Sequence, residues 1–225
     1  MNYRLSRIAA ICGGKFSGCD SEVRSVVTDS RSLSCELGCR PMFVAMRGAN
    51  HDSHDFIAGM QSRGVRAFLV ERGVEASSCT GECGFVQVDN AIEALQRLAA
   101  YHRAQFRGTV VGITGSNGKT VIKEWIAEEL PEGMKYYRSP KSYNSQLGVP
   151  LSVLMLEGDE ELAIFEAGIS KPGEMERLER IIRPDAVIFT SIGDAHQENF
   201  INLEQKCDEK MILARLSLDH IYHSS

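Results

Sequence analysis

The sequence predicts a two-domain α/β protein. A small N-terminal α/β domain (1–88) and a connecting helix (89–107) precede a second domain (108–225) built on a parallel sheet with a phosphate-binding loop. Three observations carry this expectation. The chain has 225 residues, more than one ordinary domain and enough for two compact cores. After residue 108, short apolar runs alternate with amphipathic segments, which is the pattern of parallel strands joined by helical crossovers. At 110–125 the stretch VVGITGSNGKTVIKEW passes from an apolar run through a glycine-rich turn into a helical segment.

Each element follows from local patterning. In the first domain VRAFLVER (65–72) and GFVQVDN (84–90) are rich in Val and Phe and bounded by Gly, Ser and Asn, so both are expected as strands. NAIEALQRLAAYHRAQ (90–105) places Ile92, Leu95, Leu98 and Ala99 on one helical face, with Asn90 and Glu93 as a cap-like start. The second domain then reads as strand TVVGI (109–113), helix KTVIKEWIAEEL (119–130) stopped by Pro131, and strand LAIFEAG (162–168). Helix GEMERLERII (173–182), strand DAVIFTSI (185–192) and helix NLEQKCDEKMILARL (202–216) complete it.

Composition excludes several classes of function. A net charge of -5 and a pI near 5.7 leave no clustered Lys/Arg surface for nucleic acid. The N-terminal MNYRLSRIAAICGG has too short an apolar run for a signal peptide, and no later run is long enough to cross a bilayer, so a cytosolic protein with no membrane partner is expected. Seven cysteines in such a chain are expected as free thiols. Cys35/Cys39 and Cys79/Cys83 form two C-x3-C pairs, a possible zinc set, but small buried apolar residues are the favoured reading.

The glycine-rich turn carries the chemistry. Gly115 and Gly118 let backbone N–H groups converge on a phosphate, Lys119 can reach the β/γ oxygens, and Thr120 can ligate Mg2+. Ile113 stands where the usual first glycine would be, so the residues alone leave a chance glycine turn open. The strand before and the helix after favour phosphate binding. Glu166 and His196 both follow apolar strands, at the sheet edge where open α/β sheets hold ligands. A carboxylate and an imidazole there suit Mg2+ or a substrate phosphate. The alternatives are an ion pair of Glu166 with a nearby lysine and a hydrogen-bonded structural histidine.

Taken together, GITGSNGKT, FEAGIS, AHQENF and the upstream TDSRSL and MFVAMRGANHDSHDFI resemble the Mur ligase family, whose members build the peptide of bacterial cell-wall precursors. SPKSYNSQLGVPLSVL (139–154) is most similar to the branch that adds D-Ala-D-Ala to UDP-N-acetylmuramoyl-tripeptide, and also to versions in which an alanine racemase follows the ligase in one chain. The resemblance implies an N-terminal UDP-binding domain and an ATPase domain, here truncated, because the family has a third domain. On that reading this piece binds ligands but hardly catalyses, and it is a monomer. The family motif T-G-[ST]-x-G-K-T places ATP on Thr114, Gly115, Ser116, Asn117, Gly118, Lys119 and Thr120. It places metal on Thr120, Glu166 and His196, and substrate on Asn144. Ser30, Arg31, Gly48 and His54 would meet the UDP end, although Ser53 replaces the glycine of the family's D-G-H-D-F. His51 and His54 as a metal pair, or Asp52 or Ser53 as a helix cap, are the alternatives there.

The resemblance also implies a carbamylated lysine at Lys210, fourteen residues past His196, where residue type alone favours a solvated lysine. Carbamylation by CO2 would turn a cation into a carboxylate-like group beside the metal. Two competing readings are a folylpolyglutamate-type ligase, which lacks the UDP-binding segments, and a non-catalytic nucleotide-binding module.

Overall fold

The computed structural model describes residues 1–32, 40–48, 51–71, 82–193, 197–215, 217 and 221–223. The chain divides into two compact units, Met1–Tyr101 and His102–Ser225.

The first unit contains β1 (Tyr3–Arg4), α1 (Leu5–Cys12), β2 (Lys15–Gly18), β3 (Glu22–Val23), β4 (Ser25–Val27), β5 (Pro41–Val44), α2 (Ile57–Ser62), β6 (Ala67–Val70), β7 (Gly84–Gln87) and most of α3 (Ala91–Arg103). Its sheet has the order β2-β7-β6-β5-β4. All pairings are parallel except β2 with β7. β1 and β3 form a separate antiparallel pair. Both strands expected from the sequence are present, each shorter than its apolar run. Phe43, Phe68 and Phe85, from three neighbouring strands, build the centre of the core with Ile57 and Met60 of α2. Phe68 stacks on Phe85 at 5.2 Å between ring centres. In α1, Leu5, Ile8, Ala9 and Cys12 are buried at helical spacing, and Gly13 ends the helix in the left-handed conformation.

α3 begins as expected, with Asn90 Oδ1 accepting the Glu93 N–H at 3.0 Å. Its buried stripe is rotated from the expected one: Ala91, Ala94, Leu95, Leu98 and Ala99 are buried, whereas Ile92 is exposed. Small alanines let the helix pack closely, and that decides which face turns inward.

The second unit contains β8 (Thr109–Thr114), α4 (Lys119–Glu128), β9 (Tyr136–Arg138), α5 (Gly148–Val153), β10 (Leu162–Ala167), α6 (Glu174–Ile182), β11 (Ala186–Phe189), α7 (Leu203–Met211) and β12 (Ile221–His223). Its five strands run in the order β12-β11-β8-β10-β9, all parallel. β10 is buried along its whole length, as a central strand covered on both faces must be. In α4, Ile122 and Ile126 recur every fourth residue and, with Leu130 just beyond the helix, pack against Ile113, Leu162 and Ile164 of the sheet. After β8 the chain crosses to one side of the sheet and after β10 to the other. The carboxyl ends of β8, β10 and β11 therefore border the point where strand order reverses.

Among the described residues no helix is long and apolar enough to cross a membrane. Cys35, Cys39 and Cys79 lie outside the described residues. Cys83 belongs to the buried core of the first unit, and burial pushes the Cys12 thiol up to about 12. Both behave as small apolar residues.

Candidate functional site

In the second unit the loop between β8 and α4 is shaped by two glycines. Gly118 caps α4 in the left-handed conformation. Gly115 has φ 144, and a Cβ there would sit 1.8 Å from Thr190 Oγ1. Only glycine lets the loop lie this close to the end of β11. That contact is locked from both sides: the Thr190 N–H donates to Thr114 O at 2.8 Å, its hydroxyl to Asn117 O at 2.5 Å, and the Ser116 N–H to Ser191 O at 2.8 Å. The loop, the last turn of β8 and the end of β11 thus form one frame at the start of α4, whose amino end favours an anion.

Lys119 folds back over this frame, its ammonium donating to Gly115 O at 2.8 Å and Ser116 O at 3.3 Å. Burial holds its pKa below the ordinary lysine value, partly offset by Glu166. One residue on, the Thr120 hydroxyl donates to Glu166 Oε2 at 3.1 Å. Glu166 is fully buried in β10, the one acidic side chain in an otherwise apolar strand. Its other oxygen, Oε1, lies 2.8 Å from the ammonium of Lys123, itself fully buried on α4. The expected alternative of an ion pair for Glu166 is therefore realised alongside its contact with Thr120, and both belong to the same carboxylate.

Lys210 is not a solvated lysine. It is 2% exposed, and its ammonium donates to Gly115 O at 3.1 Å, the same carbonyl that Lys119 uses. Burial, with the neighbouring charges of Lys119 and Lys206, brings its pKa down to about 8. Lys206, a turn earlier on α7, is also buried and donates to Gly193 O, which accepts the Ser116 hydroxyl as well. α7 thus directs two ammonium groups at the loop. His196 lies outside the described residues. Among those that are described, no three His, Cys, Asp or Glu side chains gather as a metal-binding set. Thr120 and Glu166 nevertheless fit Mg2+, which takes hard oxygen donors, fills most of its shell with water and phosphate, and needs only one or two protein ligands. Asn144 is half-buried, with its backbone carbonyl accepting the Gly168 N–H at 2.7 Å just past the end of β10.

In the first unit the residues expected to meet UDP follow the carboxyl ends of β4 and β5. Ser30 and Arg31 lie in a turn in which Arg31 embraces Asp29 through two side-chain hydrogen bonds, at 3.0 and 2.8 Å. This pairing holds the Asp29 carboxyl down to about 2. Arg31 is exposed, and Gly48 is exposed after β5. His54 departs from expectation. It is 5% exposed, its Nε2 accepts the Glu71 N–H at 2.9 Å, and its Nδ1 donates to Asp52 Oδ1 at 2.5 Å. With both ring nitrogens engaged, His54 braces the loop instead of presenting itself to a ligand. The same contacts leave no ring nitrogen for the His51/His54 metal pair. Asp52 is the cap of the short helix that follows, accepting the His54 N–H at 3.0 Å.

Sequence reasoning missed Lys123. Its position four residues after Lys119 puts it on the inward face of α4, which is the signal that could have found it.

Comparison with known proteins agrees with this architecture. The Mur ligase middle-domain family matches residues 113–222. The UDP-N-acetylmuramoyl-tripeptide–D-alanyl-D-alanine ligase of Borreliella burgdorferi is 34% identical over 206 residues, 87% of this chain and 44% of that protein. The corresponding Escherichia coli ligase is 32% identical over 203 residues, 90% of this chain and 43% of its own. Among solved structures, MurF from Acinetobacter baumannii superposes with a TM-score of 0.84 at 27% identity, covering 96% of this chain and 46% of that one. MurF from Thermotoga maritima, solved in complex with ADP, superposes at 0.74 with 28% identity, covering 89% of this chain and 49% of that one. The chain spans less than half the length of these relatives.

Proposed function

Because the chain belongs to the Mur ligase family, we propose that it supplies the substrate- and nucleotide-binding part of an ATP-dependent ligase that adds D-Ala-D-Ala to UDP-N-acetylmuramoyl-tripeptide. The observation that carries this reading is the meeting of Lys119, Thr120 and Glu166 at the carboxyl ends of β8 and β10, on a loop that only Gly115 allows. The reaction is phosphorylation of the stem-peptide carboxylate, followed by attack of the dipeptide amine on the acyl phosphate and release of phosphate. Phosphoryl transfer needs positioning and charge neutralisation more than covalent help. Lys119 would move from its backbone carbonyls to the β/γ-phosphates. Thr120 and Glu166 would hold Mg2+, which when bound neutralises phosphate charge, with His196 as a further metal ligand by family likeness. Thr114 to Gly118 would wrap the phosphates, and Asn144 would face substrate. Turnover of the full-length protein with UDP-muramoyl-tripeptide and a panel of amine donors tests the reading. ATP-dependent product with D-Ala-D-Ala supports it, and none with any donor overturns it.

Two further assignments belong to the same reading. Ser30, Arg31 and Gly48 in the first unit would contact the UDP end of the substrate. Calorimetry with UDP and no ATP is expected to give a binding heat that Arg31→Ala weakens, and a folded chain with no uridine-dependent heat would remove the assignment. Lys210 would carry the carbamate. Only a neutral amine attacks CO2, and with a pKa of about 8 roughly a tenth of Lys210 is neutral at pH 7, against less than a thousandth for an ordinary lysine. Incorporation of labelled CO2 should therefore rise as pH passes through 8. Lys210→Ala is expected to lower kcat at least about 100-fold, with partial recovery on adding short carboxylates. Full activity of that variant, or loss without any recovery in a folded, ATP-binding protein, counts against the carbamate.

A further inference from the structure

Lys123 takes no part in the reading above, yet it is among the most completely buried charges in the chain. Its ammonium has carbonyl partners at 2.7 Å (Ser139) and 2.6 Å (Lys141) in addition to Glu166 Oε1 at 2.8 Å. Glu124 stands further away, at 3.5 Å. Lys141, whose carbonyl is one of these partners, is in the left-handed region with φ 48, a conformation that a non-glycine residue rarely adopts. Swinging the lysine away would leave a buried carboxylate without its counter-ion and two carbonyls without a donor, each at a desolvation cost. The backbone that carries the carboxylate is fixed by pairing of Glu166 with Ile113 of β8. Glu166 thus has Oε1 in a buried ion pair with Lys123, with no hydrogen bond of its own, and the other oxygen, Oε2, accepting from Thr120.

We propose that Lys123 sets the metal preference of the site: by occupying Glu166 Oε1 it leaves the carboxylate a single oxygen for a cation, favouring Mg2+ over Ca2+. The inference rests on the reading of Thr120 and Glu166 as Mg2+ ligands. Mg2+ demands octahedral geometry and accepts one oxygen per carboxylate, whereas Ca2+ readily takes both and a larger shell. A lysine clamped to one oxygen from a separate loop is a device against two-oxygen binding. It also ties the carboxylate to residues 139–141, three positions before Asn144, so Lys123 acts as a positioning residue.

The test measures ADP binding to the full-length protein by calorimetry across Mg2+ and Ca2+ concentrations, in the wild type, Lys123→Met, Lys123→Gln and Glu166→Gln. The wild type is expected to need less Mg2+ than Ca2+. Either Lys123 variant is expected to move the ratio of half-saturating concentrations about tenfold toward Ca2+, the size of effect found for groups that orient metal ligands. A lysine that only supports the fold would weaken both cations in parallel, so an unchanged ratio in a folded variant overturns the proposal. Indifference of wild-type ADP binding to divalent cations and to Glu166→Gln would overturn it at its premise, and would remove the metal assignment with it. A crystal structure of the wild-type protein with ADP and Mg2+ gives a readout independent of variant folding. Glu166 bound through one oxygen with Lys123 on the other is expected, and two-oxygen coordination with Lys123 displaced overturns the inference.

Discussion

Replacing Lys119 with alanine is expected to cut ATP-dependent ligation by about two to three orders of magnitude while leaving the fold in place. This ammonium bonds to the carbonyls of Gly115 and Ser116, in a setting that holds its pKa down through burial. Losing it removes two hydrogen bonds but also relieves a desolvated charge beside Lys210, so the net change in stability should stay within about 1 kcal/mol. In the transition state the same group would face the charge developing on the transferred phosphoryl oxygens. Removing a preorganised donor of that kind costs about 3–4 kcal/mol, on the order of 100- to 1,000-fold in kcat. Single-turnover phosphate release combined with denaturant unfolding separates the two effects. Unchanged turnover would sink the nucleotide assignment, and a collapse in stability would show that Lys119 serves the fold.

Gly115→Ala should have the largest effect on stability. The new Cβ would lie 1.8 Å from Thr190 Oγ1 and 2.9 Å from Thr190 Cβ, at a φ of 144 that L-residues rarely adopt. Backbone strain and overpacking together should cost about 3 kcal/mol or more, and ADP binding should disappear as the loop withdraws from β11. Gly133→Ala is the internal control: its φ is 87 but a Cβ there meets nothing within 4 Å, so strain alone should cost about 1 kcal/mol. The double variant Gly115→Ala/Thr190→Ala removes the hydroxyl in the clash and should recover part of the loss, not all, since the Thr190 Cβ contact and the strain remain. Equal losses for Gly115→Ala and Gly133→Ala in urea unfolding would show that the close approach to Thr190 contributes nothing.

Much of the second unit was legible because its signals are local. TVVGI, LAIFEAG and DAVIFTSI are short apolar runs bounded by glycine or polar residues, and each became a strand. Pro131 stops the helix pattern, and Glu166 stands out as the one acid inside an apolar run. Elements without such a signal went unread. β1 and β3 have two residues each, β9 has three, and α5 spans GVPLSV with a proline at its third position. Such pieces are held by their neighbours and have little propensity of their own.

What the sequence by itself determined, then, was the alternation of strand and helix, the glycine turn with Lys119 and Thr120, and the placing of Glu166 at a strand's carboxyl end. These depend on residues within one turn or one strand of each other, where periodicity and backbone freedom are set by residue type. Tertiary structure alone decided the fate of the charged side chains. Residue type alone favours a solvated lysine at Lys210, and no local pattern assigns a partner to Lys123 or Lys206; all three are buried because their partners are remote: Ser139 and Glu166 for Lys123, Gly193 for Lys206, Gly115 for Lys210. It also turned His54 inward, where the Glu71 N–H and Asp52 engage both ring nitrogens. A buried charge or imidazole is tolerated only where fixed donors or acceptors replace water, and those are brought to it by the folding of segments that do not adjoin it in the chain.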